Sequence, residues 1–388
     1  VRILICNYEY PPIGGGGGIF TSLLGQELAT KHEVTVLTSR VSGIPLDRFE
    51  NGVRVIRVPV YFRKQLTVAN LPSLITYIPM AIKGGEKLLK GNQYDLINTH
   101  FALPTGPVGD ALARFAGIPN VLTLHGGDLY DPSKLTSPHR NPLLRTWIRR
   151  LLRRADVVVA SSYDTLENMR LYYTSEIECI RIALGIKSSR LENVPRSRYG
   201  FGDDEVLLVT VGRLIARKAL SQLIEVIESL KLENVRLLII GTGPEDESLK
   251  QICSRMKLGH KIIFLGFLGE FEKLNILKIC DLYVSTSQHE GFGLVFLEAM
   301  QSGLPIVCYD KGGQTDFLKN EETGYLIKLN DLSQFINHCR ILIGNPNLRK
   351  KISAHNKLKA KEFDIHRCTA LYEDLFNRTL TTFNAKKN

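Results

Sequence analysis

Val206-Leu-Leu-Val-Thr-Val-Gly-Arg-Leu-Ile-Ala-Arg-Lys218 decides the fold, because it restarts a pattern opened by Arg2-Ile-Leu-Ile-Cys-Asn-Tyr-Glu-Tyr-Pro-Pro-Ile-Gly-Gly-Gly-Gly-Gly18. Each is a short apolar run that breaks at glycine and leads into a segment of helical length. After the first come Val34–Thr38, Val53–Val58, Leu96–Thr99, Asn120–Leu124 and Val157–Ser161. After the second come Arg236–Ile240, Ile262–Leu265, Leu282–Ser285 and Pro305–Cys308. Such β-branched runs, too short for helices and separated by long connections, are the pattern of a parallel sheet built from βαβ units. The sequence therefore predicts an α/β protein of two Rossmann-like domains. Between them Lys187–Asp204 is polar and aperiodic, as a linker would be. Helices are expected over Phe20–Ala29 and Leu220–Leu230, and over Cys368–Leu380 with Leu371, Leu375 and Phe376 at helical spacing.

Composition narrows the class. The 388 residues suggest two or three domains. Hydrophobic content of 44% with 23% charged residues argues against disorder. No stretch is apolar for long enough to span a bilayer, and the chain enters its first apolar run with no basic leader ahead of it. Seven dispersed cysteines, never in a C-x-x-C pair, fit reduced thiols and suggest neither a zinc site nor a disulfide framework. The expected location is the cytoplasm. A net charge of +11 asks for an anionic partner: nucleic acid, a membrane surface or a phosphorylated small molecule. The excess is spread, with 21 Lys/Arg against 15 Asp/Glu up to residue 185 and 29 against 24 beyond it. One local cluster, Arg140–Arg154, interleaves Arg145, Arg149, Arg150, Arg153 and Arg154 with Leu143, Leu144, Trp147, Ile148, Leu151 and Leu152. That helix could lie in an anionic lipid interface, or be an ordinary packed helix with its stripe in the core.

Several places could carry chemistry. The loop Pro11–Gly18 stands between a strand and a helix, where glycine backbone can approach an anion under helix N-terminal amides; a loop with no ligand is the alternative. It is neither G-x-G-x-x-G nor a Walker loop. His289-Glu-Gly-Phe-Gly-Leu-Val-Phe-Leu-Glu298 places one glutamate on a glycine loop and a second inside a helix expected to start near Gly293. Its amides would face an anion or a hydroxyl-rich ligand, with Glu290 and Glu298 accepting from hydroxyls. A capped surface helix would look the same. Arg213 and Lys218 can clamp a diphosphate from a loop at a carboxyl strand end, or simply decorate a solvated turn. Lying on a loop, both should be removable without loss of the fold. Gly241-Thr-Gly-Pro244 and Gly266-Phe-Leu268 line the same edge, and His125 ends a strand of the first domain, where many histidines are structural. No H-E-x-x-H, carboxylate pair of the D-x-D kind or G-x-S-x-G elbow occurs.

Taken in order, these pieces resemble the family 4 retaining glycosyltransferases, whose GT-B architecture sets two Rossmann-like domains across a cleft. The resemblance runs over nearly the whole chain. It includes Pro11-Pro12 with Gly15-Gly16 and His32-Glu-Val, then Leu124-His125-Gly and Ala155–Ser161. In the second half it takes in Gly212-Arg213 with Lys218, Phe264-Leu-Gly266-Phe, and Glu290 through Glu298 to Gly303-Leu-Pro305.

The resemblance implies an acceptor domain over 1–183, joined by a last helix over about 369–388, and a donor domain over 184–368. It implies that Arg213 and Lys218 hold the donor diphosphate with the Gly15 and Gly16 amides nearby. Glu290 and the amides of Phe292, Gly293 and Leu294 would hold the sugar and phosphate. Glu298 would take the ribose, Phe267 would sit by the base, and His125 by the transferred sugar. The expected activity moves a hexose, with retained configuration, from a nucleotide sugar (UDP favoured, GDP-mannose the alternative) to a hydroxyl of a sugar or glycolipid. No metal, no further cofactor and no nucleic-acid partner is expected. Two departures stand out: Ala219 where glycine is usual, and Ala183-Leu-Gly-Ile-Lys187 for the usual Pro-Asn-Gly-Val-Asp. A non-catalytic nucleotide-sugar binder or a GT-B epimerase on the same fold are the competing readings.

Overall fold

The structure, a computed structural model, describes residues 1–63, 70–188 and 194–387. The chain divides into two compact units, Val1–Lys187 with Ile365–Asn388, and Ser188–Asp364. The crossings thus fall at 187/188 and 364/365, against 183/184 and 368/369 expected from the sequence. Part of the expected linker, residues 189–193, lies outside the described residues, as does the last residue of the expected C-terminal helix.

The first unit carries β1 (Arg2–Cys6), β2 (Glu33–Ser39), β3 (Asp47–Glu50), β4 (Val53–Val58), β5 (Leu96–His100), β6 (Asn120–Leu124), β7 (Val157–Ala160) and β8 (Cys179–Arg181). They form one sheet in the order β3-β4-β2-β1-β5-β6-β7-β8, parallel except for β3. Its helices are α1 (Gly16–Leu28), α2 (Leu71–Gly91), α3 (Gly106–Ala116), α4 (Pro142–Arg154) and α5 (Tyr163–Tyr172). The second unit holds β9 (Val206–Val211), β10 (Val235–Ile240), β11 (Ile262–Gly266), β12 (Leu282–Ser285), β13 (Ile306–Tyr309) and β14 (Gly324–Ile327). These are all parallel, in the order β11-β10-β9-β12-β13-β14. Around them run α6 (Leu220–Leu230), α7 (Asp246–Arg255), α8 (Glu270–Ile279), α9 (Leu294–Ser302), α10 (Leu332–Gly344) and α11 (Pro346–Ala360). α12 (Ile365–Lys387) returns to the first unit. The sequence expectation of two parallel-sheet α/β domains holds.

Three strands escaped the sequence reading. β3 is Asp-Arg-Phe-Glu, with no apolar alternation to mark it, and pairs antiparallel with β4 through Asn51 and Gly52, both at positive φ. An Asn-Gly pair before an apolar run was the available signal. β8 has three half-buried residues, and β14 opens on glycine at a sheet edge.

Two apolar helices need a finer account. In α12 the buried stripe is Ile365, Cys368, Tyr372, Leu375 and Phe376, whereas Leu371 is 54% exposed, so the inward face lies one residue from where leucine spacing put it. Glu373 fixes that face by accepting from Lys31 (2.9 Å) and pairing with His32 (3.0 Å). In α4 only Ile148, Leu151 and Leu152 are buried; Leu143 is 81% and Trp147 40% exposed. Most of its arginines have structural work. Arg145 and Arg149 donate from Nε to the carbonyls of Tyr172 (2.8 Å) and Tyr173 (2.7 Å), capping the end of α5. Arg153 and Arg154 pair with Glu176 (2.8 Å) and Asp110 (3.1 Å). Among the described residues no helix is long and apolar enough to cross a membrane.

Candidate active site

In the first unit the glycine-rich loop folds back on Glu9. Asn7, just beyond β1, donates to Thr21 Oγ1 (2.6 Å) and accepts the Glu9 amide (2.9 Å). Glu9 then accepts the Gly15 amide on Oε2 at 3.0 Å. A side chain at Gly14, whose φ is +94°, would stand 2.6 Å from the Glu9 carboxylate, so glycine is required there. Gly15 and Gly16 do open α1, as the N-cap and first residue. The Gly15 amide, however, is given to an internal carboxylate that the sequence reading missed, and an incoming anion at that amide has to displace it. Charge at the head of α1 is favourable to the helix in either case.

Gly17 has a different task. A Cβ there would run into the ring of Phe101, which follows β5 at φ +74°. Phe101 in turn lies 4.5 Å, centroid to centroid, from the His125 ring at the end of β6. The loop and the histidine, far apart in sequence, meet on this one aromatic side chain. The His125 amide donates to Asp128 Oδ1 (3.1 Å), and the Ala102 amide to Asp128 Oδ2 (2.6 Å), tying the two loops together. His125 Nε2 faces Nδ1 of His100 at 2.9 Å. Burial pushes the His125 pKa down to about 3, so the ring is neutral at ordinary pH. His100 was not singled out from the sequence. The signal was the strand register: His100 pairs with Thr123, two residues before His125.

Burial outweighs the hydrogen bonds from Ala102, His125 and Gly126 and raises Asp128 to about 6. Between its ordinary 3.8 and about 6 the folded state therefore holds a proton the unfolded chain has lost, and stability must fall as pH rises through that window. The fall is on the order of 3 kcal/mol, at about 1.4 per pKa unit. Asp128→Asn should flatten it: the difference in melting temperature between wild type and variant is expected to change across pH 4–6 and to stay constant above 7. A constant difference throughout would contradict a raised Asp128.

In the second unit the loops after β9, β10 and β11 are laced together. Gly212 donates to Ile240 (2.9 Å), Leu214 to Thr242 (3.0 Å) and Gly241 to Gly266 (2.7 Å). Gly241, at φ +135°, lies so close to the Gly212 carbonyl that no side chain fits. From this edge one 3₁₀ turn, Ala216–Lys218, leads into α6 through Ala219 at φ +44°. This is the left-handed conformation that glycine takes without penalty and alanine takes at a cost of about 1 kcal/mol or more. Thr286 Oγ1 holds the turn by donating to the Ala219 carbonyl (2.9 Å), and the Gln288 amide donates to that of Arg217 (2.8 Å). The β9 loop is thereby bound to the segment after β12, which carries Glu290.

Lys218, its side chain 13% exposed, forms a largely buried ion pair with Glu290. Burial pushes the Glu290 carboxyl up, but Lys218 and Arg217 outweigh it and hold the carboxyl at about 2. Burial lowers Lys218, with Glu290 working against the shift and Arg217 and Arg213 adding to it. Lys218 and Arg217 thus act on one carboxylate, with Arg213 near enough to act on Lys218. Two expectations need correcting here. Lys218 is no removable loop cation but half of a buried pair, and Arg217, read past in the same run, belongs to the cluster. Glu290 is also fixed through its backbone, bridging to Gly312 and accepting the Gly313 amide at 2.7 Å.

Helix α9 starts one residue after Gly293, which caps it at φ +90°. Phe292 pins the helix head by packing on Phe317 (5.2 Å) and Phe363 (6.4 Å). No acidic side chain occupies the first turn, so the amide end that includes Leu294 keeps its positive character. Glu298, one turn on, is buried against Lys273 at 2.8 Å, and Lys273 also reaches Glu270 (2.9 Å). Burial raises Glu298, opposed by Lys273. The sequence reading gave Glu298 to ligand hydroxyls without seeing this partner, which comes from a different helix. Gly266 ends β11 at φ +67°, and Phe267 beside it is 76% exposed. Among the described residues no three His, Cys, Asp or Glu side chains gather as a metal site.

Residues 14–188 match the family described as Glycosyltransferase Family 4, and residues 194–359 match Glycosyl transferases group 1. An uncharacterized glycosyltransferase of Methanocaldococcus jannaschii is 30% identical over 344 residues, 84% of each chain. The chain belongs to this glycosyltransferase family, and its two Rossmann-like units are those of the GT-B class. The UDP-Gal:alpha-D-GlcNAc-diphosphoundecaprenol alpha-1,3-galactosyltransferase of Escherichia coli is 27% identical over 314 residues, 78% of each chain. Among solved structures, Anabaena HepE in complex with UDP and glucose superposes with a TM-score of 0.79 at 20% identity, over 97% of this chain and 99% of that one.

Proposed function

We propose that this chain is a retaining hexosyltransferase that moves a hexose from a UDP-sugar to a hydroxyl of a sugar or lipid-linked acceptor. The observation that carries the reading is the pairing of Lys218 with buried Glu290 beside the head of α9, with Arg217 acting on both and Arg213 on Lys218. Such a cluster offers preorganised positive charge to a leaving diphosphate and a fixed anion to orient sugar hydroxyls or support a cationic sugar carbon. In this reading Arg213 and Lys218 take the diphosphate, with the amides of Phe292, Gly293 and Leu294. Glu298 takes the ribose, Phe267 flanks the base, and His125 touches the transferred sugar. The acceptor hydroxyl attacks from the face the diphosphate leaves, and a leaving phosphate oxygen takes its proton.

A UDP donor is favoured by the E. coli relative, whose printed name gives UDP-Gal, and by the UDP and glucose held in the HepE structure. Incubation with UDP-glucose, UDP-galactose, UDP-N-acetylglucosamine and GDP-mannose should release nucleoside diphosphate faster when an acceptor is present. Binding without release would point instead to a non-catalytic binder, and a changed donor sugar to an epimerase. An inverted product anomer by NMR overturns retention. With Arg213, Lys218 and helix amides to carry the leaving charge, transfer is expected to run at full rate in excess chelator. Loss of activity there, restored by Mn²⁺, contradicts that expectation.

A lipid-linked acceptor would bring the enzyme to a membrane. The surface suited to it is the exposed Leu143 and Trp147 of α4 with Arg150, since the other α4 arginines are engaged within the unit and Arg140, just before the helix, donates to the Pro132 carbonyl (3.0 Å). Co-sedimentation with anionic liposomes at low salt, reduced several-fold in Trp147→Ser, is the expected result. Equal recovery with neutral and anionic vesicles removes this part of the proposal.

A further inference from the structure

His125 ends a chain of buried hydrogen bonds whose direction is set at its far end by a backbone carbonyl. Asn98 Nδ2, in β5, is 3.1 Å from the Val121 carbonyl oxygen and 3.2 Å from Thr123 Oγ1. A carbonyl can only accept, so the group facing it is the NH₂, and the atom 2.8 Å from His100 Nε2 is the oxygen Oδ1. That oxygen also only accepts, so His100 carries its proton on Nε2. Burial lowers the pKa of His100 well below its ordinary value, with His125 adding to the effect, and keeps both rings neutral. A neutral imidazole has one proton, so His100 Nδ1 is a lone pair. It lies 2.9 Å from His125 Nε2, which must therefore be the protonated nitrogen of that ring. His125 Nδ1 remains: a bare acceptor, buried, with no protein partner among the described residues. The opposite arrangement would set His100 Nε2 and Asn98 Oδ1 against each other as two buried acceptors, which is expensive.

We propose that Asn98 and His100 are positioning residues that lock His125 in its Nε2–H tautomer, so that the Nδ1 lone pair takes a hydrogen bond from a hydroxyl of the transferred sugar. This rests on the reading that His125 touches that sugar. The consequence is a polarity rule for the donor. At that contact the sugar must present a hydrogen-bond donor, and a group that only accepts is rejected. Phe101 against one side of the ring and Gly17 behind Phe101 hold it in place.

The lock is tested without any donor. In protein labelled with ¹⁵N-histidine, two-bond ¹H–¹⁵N correlation should show His125 Nδ1 as an unprotonated nitrogen and Nε2 as a protonated one, unchanged from pH 5 to 8. A protonated Nδ1 overturns the lock, whatever the sugar reading. His100→Gln, which can still accept from Nε2–H, should preserve the pattern; His100→Met should lose it.

The contact is tested by the Kd of UDP-hexose analogues in which each sugar hydroxyl in turn is replaced by hydrogen or by fluorine, which can accept but not donate. One position should weaken binding about tenfold with either replacement, and His125→Ala should abolish that sensitivity. His100→Met should blunt it and His100→Gln restore it. A fluorine tolerated where hydrogen is not would overturn the acceptor role. If no position is coupled to His125 while the tautomer is as stated, the sugar contact is what fails.

Discussion

Lys218→Ala is expected to lower kcat by about 10²–10³, the usual loss when one preorganised donor to a developing anion is removed. The same substitution should reshape stability, because it strands Glu290. In the wild type that carboxyl sits at about 2, below its ordinary 4.5. Its contribution is therefore present above pH 4.5 and lost only as pH falls toward 2. Without Lys218, burial is opposed only by Arg217 and a hydrogen bond from Ser287, and the low-pH loss is expected to shrink, or to reverse so that stability falls as pH rises above 4.5. Leaving a buried charge unmatched typically costs about 3–5 kcal/mol. Two measurements separate chemistry from folding: melting temperature from pH 3 to 8, and activity of a Lys218→Met/Glu290→Gln double variant. The double variant should regain stability and stay inactive. A single Lys218→Ala variant within tenfold of wild-type kcat at saturating donor would remove Lys218 from the site.

Glu290→Gln should be about as damaging, with a kcat loss on the order of 10² and little change in backbone structure. The amide keeps the shape of the side chain and its backbone bridge to Gly312, but it gives up the charge that faces Lys218 and Arg217. A carboxyl held at about 2 is too weak a base to accept the acceptor's proton near neutral pH, which is why the proton is assigned to the departing phosphate. Covalent attack by the same group is the competing route, and mass spectrometry decides between them. With a slow fluorinated donor, no glycosyl-enzyme should accumulate on Glu290, and one that does would replace the front-face route. Because Lys218 and Glu290 share an ion pair, the double variant should lose much less than the product of the two single losses.

How far these residues were legible in the sequence follows from the range of the interactions that place them. Parallel strands buried on both faces write themselves as continuous apolar runs, so every long strand and the start of α9 at Gly293 could be read directly. Of the four edge strands only β11 could: β3 is built from charged residues, β8 has three residues, and β14 opens on glycine. The same divide runs through the site. Arg213, Lys218, Glu290 and Glu298 stand in motifs of adjacent residues. Their partners do not, since Lys273 reaches Glu298 from another helix, and Glu9 takes the Gly15 amide by a turn no spacing rule anticipates. Asn98 and His100 needed the register between neighbouring strands, which only pairing reveals.

The way α12 closes the first unit carries a consequence for how the protein is made. Tyr372 is fully buried, its ring 6.2 Å from Phe20 and its hydroxyl 3.4 Å from Thr123, and Cys368 donates to the Ala183 carbonyl. All of these partners are synthesised early, and α12 comes after the whole of Ser188–Asp364. During vectorial synthesis the later-made unit, being one continuous segment, can reach its native state first. The earlier-made one lacks α12 until the chain beyond Asp364 has been synthesised, and exposed apolar surface of that kind is prone to misassembly. Order of birth and order of completion are reversed.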